Sequence, residues 1–150
     1  MKRYILLLLF FSGVILANGF SYILGVVITG TVFPYFEVKY NLEEISIGCS
    51  IGMTFVEDKK NEFYDFLLSP KVSISYFPFK QFFIQANFRT IVVFPYQQKQ
   101  LYLFGAGIGY GIPFNNGKIN FLLSENISLP ISAASKVSRP IPILECEYEF

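Results

Sequence analysis

The chain has 150 residues and a formal net charge of +1, enough for one domain and no field that would draw nucleic acid or acidic partners. Aromatic residues make up 19% of it and charged residues 15%, against about 25% charged in soluble domains, and its mean hydropathy is positive. Histidine is absent, which excludes Ser-His-Asp hydrolysis, Cys-His chemistry and His-based zinc sites together.

The N-terminus reads "MKRYILLLLFFSGVILANGF", with Lys2 and Arg3 before an apolar run from Tyr4 to Ala17. That run is about 14 residues, short of the ~18–20 that a spanning helix needs. Ala17 and Gly19 place small residues where cleavage requires them. The pattern predicts a secretory signal peptide over 1–19 and a single folded domain over 20–150. A membrane anchor retained in the mature chain is the other reading of the same run. Without Lys2 and Arg3 the remainder is close to neutral, and no later apolar run is long enough to span as a helix. A membrane location would therefore require strands.

From residue 20 onward the sequence alternates with period two, the signature of strands with one apolar and one polar face. The first strand is expected near 22–32, ambiguous in face, and the second over 35–41, with the connection around "FPY". The third, 44–56, sets Ile45, Ile47, Cys49, Ile51 and Met53 against Ser46, Gly48, Ser50, Gly52 and Thr54. The fourth, 66–77, opposes Val72, Ile74 and Tyr76 to Lys71, Ser73 and Ser75. In the fifth, 81–94, Phe82, Ile84, Ala86, Phe88, Thr90 and Val92 oppose Gln85, Asn87 and Arg89. The sixth covers 99–112, and the seventh, 118–129, carries Glu125 among its apolar positions. The eighth, 140–150, alternates Leu144, Cys146, Tyr148 and Phe150 with Glu145, Glu147 and Glu149.

Connections after the second, fourth and sixth strands are tight, the last with an Asn116-Gly117 hairpin signal. Those after the third, fifth and seventh, "VEDKKNEFYD", "FPYQQKQ" and "PISAASKVSRP", are longer or more polar. Short turns at one end and long loops at the other is the asymmetry of outer-membrane barrels. In lipid an open sheet edge is not tolerated, so eight such strands close with the apolar side outward. Phe33, Tyr35, Phe77, Phe79, Phe94, Tyr96 and Tyr102, near strand ends, are expected to form interfacial girdles.

The sixth strand, "LYLFGAGIGYGI", has Gly105, Gly107, Gly109 and Gly111 at every second position. A dinucleotide loop needs G-x-G-x-x-G before a helix. Here the third glycine is displaced and Pro113 follows. An eight-stranded barrel has an interior just wide enough for side chains. The glycines are expected to face inward, with bulky residues across the lumen packing against bare backbone.

The inward face also collects Glu37, Lys39, Lys71, Arg89, Glu145, Glu147 and Glu149. Buried charges are costly unpaired, so a structural ion-pair network is expected. Alternate residues on a strand lie ~6.6 Å apart, too far for Glu145, Glu147 and Glu149 all to grip one cation, and no metal or cofactor is expected. A filled lumen admits no sugar, which removes carboxylate-pair glycoside cleavage. Asn126-Ile127-Ser128 is a sequon by chance in a barrel wall. Cys49 and Cys146 fall on outward faces of non-neighbouring strands, beyond the ~7 Å that a disulfide allows between Cα atoms, so two free thiols are expected.

The signal peptide, the eight amphipathic strands, the "GAGIGYG" strand and the terminal "YEF" together resemble small bacterial outer-membrane β-barrel proteins of the OmpA/OmpX-like kind. The resemblance implies an all-β, eight-stranded antiparallel up-and-down transmembrane β-barrel in the Gram-negative outer membrane. It implies a non-catalytic, monomeric protein with a structural or surface-interaction role, in contact with outer-membrane lipid. In that family the barrel-assembly machinery reads a final strand ending in an aromatic residue, and Leu144, Tyr148 and Phe150 match those positions. Two other readings are a soluble exported lipid-binding barrel, lipocalin-like, and a narrow pore component. The soluble barrel requires the opposite facing, with Arg89 and Glu147 outside.

Overall fold

The computed structural model describes residues 19–29, 32–58, 63–94, 100–129 and 140–150. Eight strands follow in order: β1 (Phe20–Ile28), β2 (Val32–Leu42), β3 (Ile45–Asp58), β4 (Phe63–Tyr76), β5 (Phe82–Phe94), β6 (Gln100–Phe114), β7 (Gly117–Leu129) and β8 (Ile141–Glu149). Each pairs antiparallel with the next, and β1 pairs with β8 to close the barrel. At that seam the Tyr22 N–H donates to the Phe150 carbonyl at 3.1 Å and the Phe150 N–H to the Tyr22 carbonyl at 2.9 Å. The expected signal peptide lies almost wholly outside the described residues.

Two boundaries differ from the sequence expectation. Phe33-Pro34-Tyr35 belongs to β2 rather than to the first connection, with Pro34 opposite Val26. Proline costs one ladder donor, but its fixed φ suits an extended chain, so the strand runs through it. The last tight turn is centred on Asn115-Asn116, with Phe114 paired to Gly117. Asn115 takes the positive φ, 50°, that asparagine tolerates. Gly117 instead begins β7, where a Cβ would meet the Glu149 carbonyl and the Tyr148 ring.

The outer wall is apolar. Ile47, Ile51, Met53, Val72, Ile74, Leu123 and Ile127 are all exposed on it. Near the turn end β2, β4, β6 and β8 each place a tyrosine outward: Tyr40, Tyr76, Tyr110 and Tyr148. Toward the loop end Phe66 packs against Phe55 and Phe94, at 5.3 and 5.9 Å between ring centroids. Aromatics thus sit near both ends of the apolar band. Phe33 and Tyr35, expected in these girdles, are instead buried inside. Period two decides this, because both share the face of Glu37 and Lys39. Phe77 folds inward against Phe83, 5.2 Å between centroids, and Tyr96 lies outside the described residues.

Inside, Ile23, Val27, Phe33, Tyr35, Leu103 and Ile143 form a buried cluster, joined by Leu67, Ile91, Leu101 and Ile141. Apart from Ile23, which is the cross-strand partner of Glu37 and Glu149, it fills the lumen toward the loop end, and charged and amide side chains occupy the rest. The glycines of β6 do face inward, but what covers them comes from neighbouring strands rather than from across the lumen. The Phe83 ring lies on Gly109, its direct partner in β5. Asn126 lies on Gly105, and Asn120 with Lys118 on Gly111. In so narrow a barrel a long side chain finds room by lying flat along the wall, over a neighbour that has no Cβ. We expect Gly109→Leu to lower the unfolding free energy by ~1–3 kcal/mol through overpacking, read by urea titration of the refolded chain in detergent. An unchanged midpoint would contradict the flat-lying arrangement.

Candidate functional site: the charged lumen

β8 supplies Glu145 and Glu147; β2 supplies Tyr35, Glu37 and Lys39; β4 and β5 supply Lys71 and Arg89. All seven are buried, the charged six at 4% exposure or less. Small residues make the space: a Cβ on Gly48 would meet the Glu37 carboxylate and Ser73, and one on Gly25 would meet the Tyr35 ring.

Glu145 is the hub. One oxygen takes a 2.6 Å ion pair from the Arg89 guanidinium, and the other lies 2.8 Å from the Lys71 ammonium. The Tyr35 hydroxyl stands 2.8 Å from Glu145 and 2.6 Å from Glu147, its single proton shared between two acceptors. Lys71 also reaches Glu37 at 3.0 Å, and Lys39 reaches Glu147 at 3.4 Å. Ser73 donates to Glu37 at 3.1 Å. Lys71 and Arg89 are direct cross-strand partners, a like-charged pair that would repel. They are held together because Glu145 reaches them from the opposite wall. The network therefore laces β8 to β4 and β5 across the barrel and obstructs the lumen.

Glu149 stands apart from these pairs. It is half-buried near the turn end and accepts hydrogen bonds from Ser21 at 2.7 Å and Asn120 at 3.0 Å, with no salt bridge among the described residues. Two participants escaped the sequence reading. Tyr35 was assigned to a girdle, though its parity with Glu37 could have placed it inside. The Lys118 ammonium sits over the Phe77 and Phe83 rings, at 4.9 and 5.8 Å from their centroids, and its parity with Asn120, Ser124 and Asn126 could have placed it inside.

Leu144, Tyr148 and Phe150 lie along the outer face of the β8 end, with Leu144 and Phe150 exposed. Cys49 and Cys146 are both free. Among the described residues no group of three His, Cys, Asp or Glu side chains could hold a metal ion. Charged side chains inward and apolar ones outward is the reverse of what a soluble barrel with a lipid inside requires.

Removing one member of a buried ion network costs more than replacing the whole of it. Glu145→Leu leaves Lys71 and Arg89 facing each other and is expected to cost about 3–5 kcal/mol in urea unfolding. Adding Arg89→Met, which removes the guanidinium whose carboxylate is gone while Lys71 keeps Glu37, should recover much of that loss. If the losses simply add, Glu145 is not the hub.

No protein-family model and no curated protein sequence matches the chain. Among solved structures it is similar to the N-terminal β-barrel domain of Pseudomonas aeruginosa OprF, with a TM-score of 0.50 at 12% identity, covering 87% of this chain and 96% of that one. Two others are Neisserial surface protein A, with TM-score 0.42, 10% identity and coverage of 88% and 94%, and Ail, the attachment invasion locus protein of Yersinia pestis, with TM-score 0.44, 12% identity and coverage of 89% and 100%. At such identities the likeness is one of fold. By fold, this chain is a closed, eight-stranded antiparallel β-barrel of the kind that forms the N-terminal domain of OprF.

Proposed function

We propose that the chain is a non-catalytic β-barrel of the bacterial outer membrane, exported with residues 1–19 removed, whose role is structural or lies in surface contacts made by its loops. The observation that carries this reading is the inverted facing of the wall. An exterior apolar apart from Glu125, with tyrosines near the turn end, surrounds ion pairs buried in the lumen. Water would penalise that exterior, whereas hydrocarbon solvates it, and closure satisfies the backbone where water is missing. The likeness to the OprF barrel domain supports the same reading at the level of fold. A lumen crossed by Glu145, Lys71 and Arg89 leaves little room for substrate or solute, and the chain has no histidine to activate a nucleophile.

Export to this membrane needs the assembly machinery, and the outward Leu144, Tyr148 and Phe150 at the end of β8 supply the aromatic-ended strand that such machinery reads. The test is gel mobility of the outer-membrane fraction with and without boiling in SDS. The expected result is a compact band that shifts on heating. Recovery in a soluble fraction with no shift would refute the membrane assignment. Deleting Phe150 is expected to reduce the heat-shifting species in that fraction, and wild-type insertion of the deletion would count against the assembly signal.

A further inference from the structure

Above the ionic brace, the apolar part of the lumen does not pack completely. A cavity of about 170 Å³ remains at the loop end, walled by Phe33, Ile91, Leu101, Leu103, Ile141 and Ile143. Arg89, Ser69 and Thr29 also line it. Strand position sets its depth. Thr29, Phe33, Leu101 and Ile141 lie at or beside the loop ends of β1, β2, β6 and β8. Arg89 is further down, paired with Lys71 on β4 and Leu103 on β6. Its side chain therefore forms the floor, and the brace of Glu145, Lys71 and Arg89 closes the lumen beneath. The cavity is a dead end, a place to hold a molecule and not to pass one.

The floor has hydrogen-bonding capacity to spare. A guanidinium carries five N–H donors. Arg89 directs Nη2 to Glu145 at 2.6 Å, while its Nε has no hydrogen-bond partner among the described residues, and neither does the Ser69 hydroxyl. Both side chains are buried. A buried donor without an acceptor is costly, so an occupant that brings an oxygen to this floor is favoured. The charge of Arg89 is already answered by Glu145. What it still offers is a hydrogen bond to a neutral oxygen rather than an unmatched charge for an anion. Apart from Thr29 near the rim, the rest of the described lining is aliphatic or aromatic.

We propose that this cavity is a binding site for a small, neutral, apolar molecule with one carbonyl oxygen. Its body lies among Ile91, Leu101, Leu103 and Ile141, and its oxygen turns toward Arg89 and Ser69. Size supports that class. An engineered cavity of ~150 Å³ holds benzene, so 170 Å³ takes a single substituted ring and nothing as large as a sugar or a lipid. Apolar burial supplies affinity and the polar floor supplies selection, as in other small-molecule sites. The inference goes beyond the outer-membrane reading, because the cavity needs only the closed ring. Under that reading the end with the long loops is the outer one, and the ligand arrives from outside the cell.

The test uses the full mature chain refolded in detergent, with its isoleucine and leucine methyls labelled for NMR. It is titrated with acetophenone, or with ethylbenzene, which matches it in shape but lacks the oxygen. A dispersed spectrum certifies the folded barrel in every sample. Acetophenone should shift the methyls of Ile91, Leu101, Leu103 and Ile141 saturably. Probe dissolved in the detergent should reach outward methyls such as Ile74 and Leu123 without saturation. Ethylbenzene should bind about tenfold more weakly, the factor for one hydrogen bond to a charged donor. Arg89→Met, in which Glu145 keeps Lys71, should reduce acetophenone to the affinity of ethylbenzene. Ser69→Ala removes no ion pair and should weaken acetophenone several-fold. Leu101→Trp fills the cavity and should abolish binding of both probes. A folded wild type with no saturable shift at the lumen methyls overturns the proposal. So does equal affinity for the two probes, or a preference for acetophenone undiminished in Arg89→Met and Ser69→Ala. The gel shift in SDS, which tests the membrane assignment, is independent of these outcomes.

Discussion

At the seam between β1 and β8, Tyr22 and Phe150 exchange backbone hydrogen bonds, and everything else in the molecule depends on that closure. A sheet whose outer face is aliphatic cannot leave two edges of unpaired N–H and C=O groups in an apolar medium. Closing the ring removes both edges at once and fixes the strand number. With eight strands, the interior is narrow enough that side chains must fill it. The facing of every residue then follows from parity, and each inward residue competes for a small volume.

That competition explains the interior better than polarity alone. Long side chains lie along the wall over glycines: Phe83 over Gly109, Tyr35 over Gly25, Lys118 over Gly111. The charges that remain meet from opposite sides, with Glu145 and Glu147 on β8 reaching Lys71 and Arg89 on β4 and β5. Such a brace holds the cross-section of the barrel in a way that wall hydrogen bonds alone do not, since those run only between neighbours. Toward the loop end the same space is filled by Val27, Phe33, Leu103 and Ile143. The lumen is thus ionic in one part and oily in another.

Much of this was legible in the sequence because a strand has an integer period. Ile45 to Met53 and Glu145 to Glu149 declare their faces by alternation, and all eight expected strands are present, though β1 ends at Ile28 and β2 begins at Val32 rather than at Tyr35. The pattern fails where both faces turn apolar, as at "TIVVF", "LYL" and "PIPIL". There alternation carries no contrast, and the oily part of the lumen was invisible. The girdle assignment of Phe33 and Tyr35 failed for a different reason: aromatic character near a strand end was weighed above parity with Glu37. Parity is the stronger constraint, because one residue of slip would send Glu37 and Lys39 outward as well.

The sequence by itself determined the strand count, the facing of most side chains and the set of charges that share the interior, since each follows from local periodicity and chain closure. Only the tertiary structure decided which charges pair, that Glu149 stands aside from them, that Tyr35 bridges Glu145 and Glu147, and that β6 glycines are covered by neighbours. Those outcomes depend on strand register and on the radius of the closed ring. The ring radius and the pairings across it are fixed by closure between residues more than a hundred positions apart, as where Ile23 pairs with Glu149 and Tyr35 meets Glu145, and no local pattern encodes them.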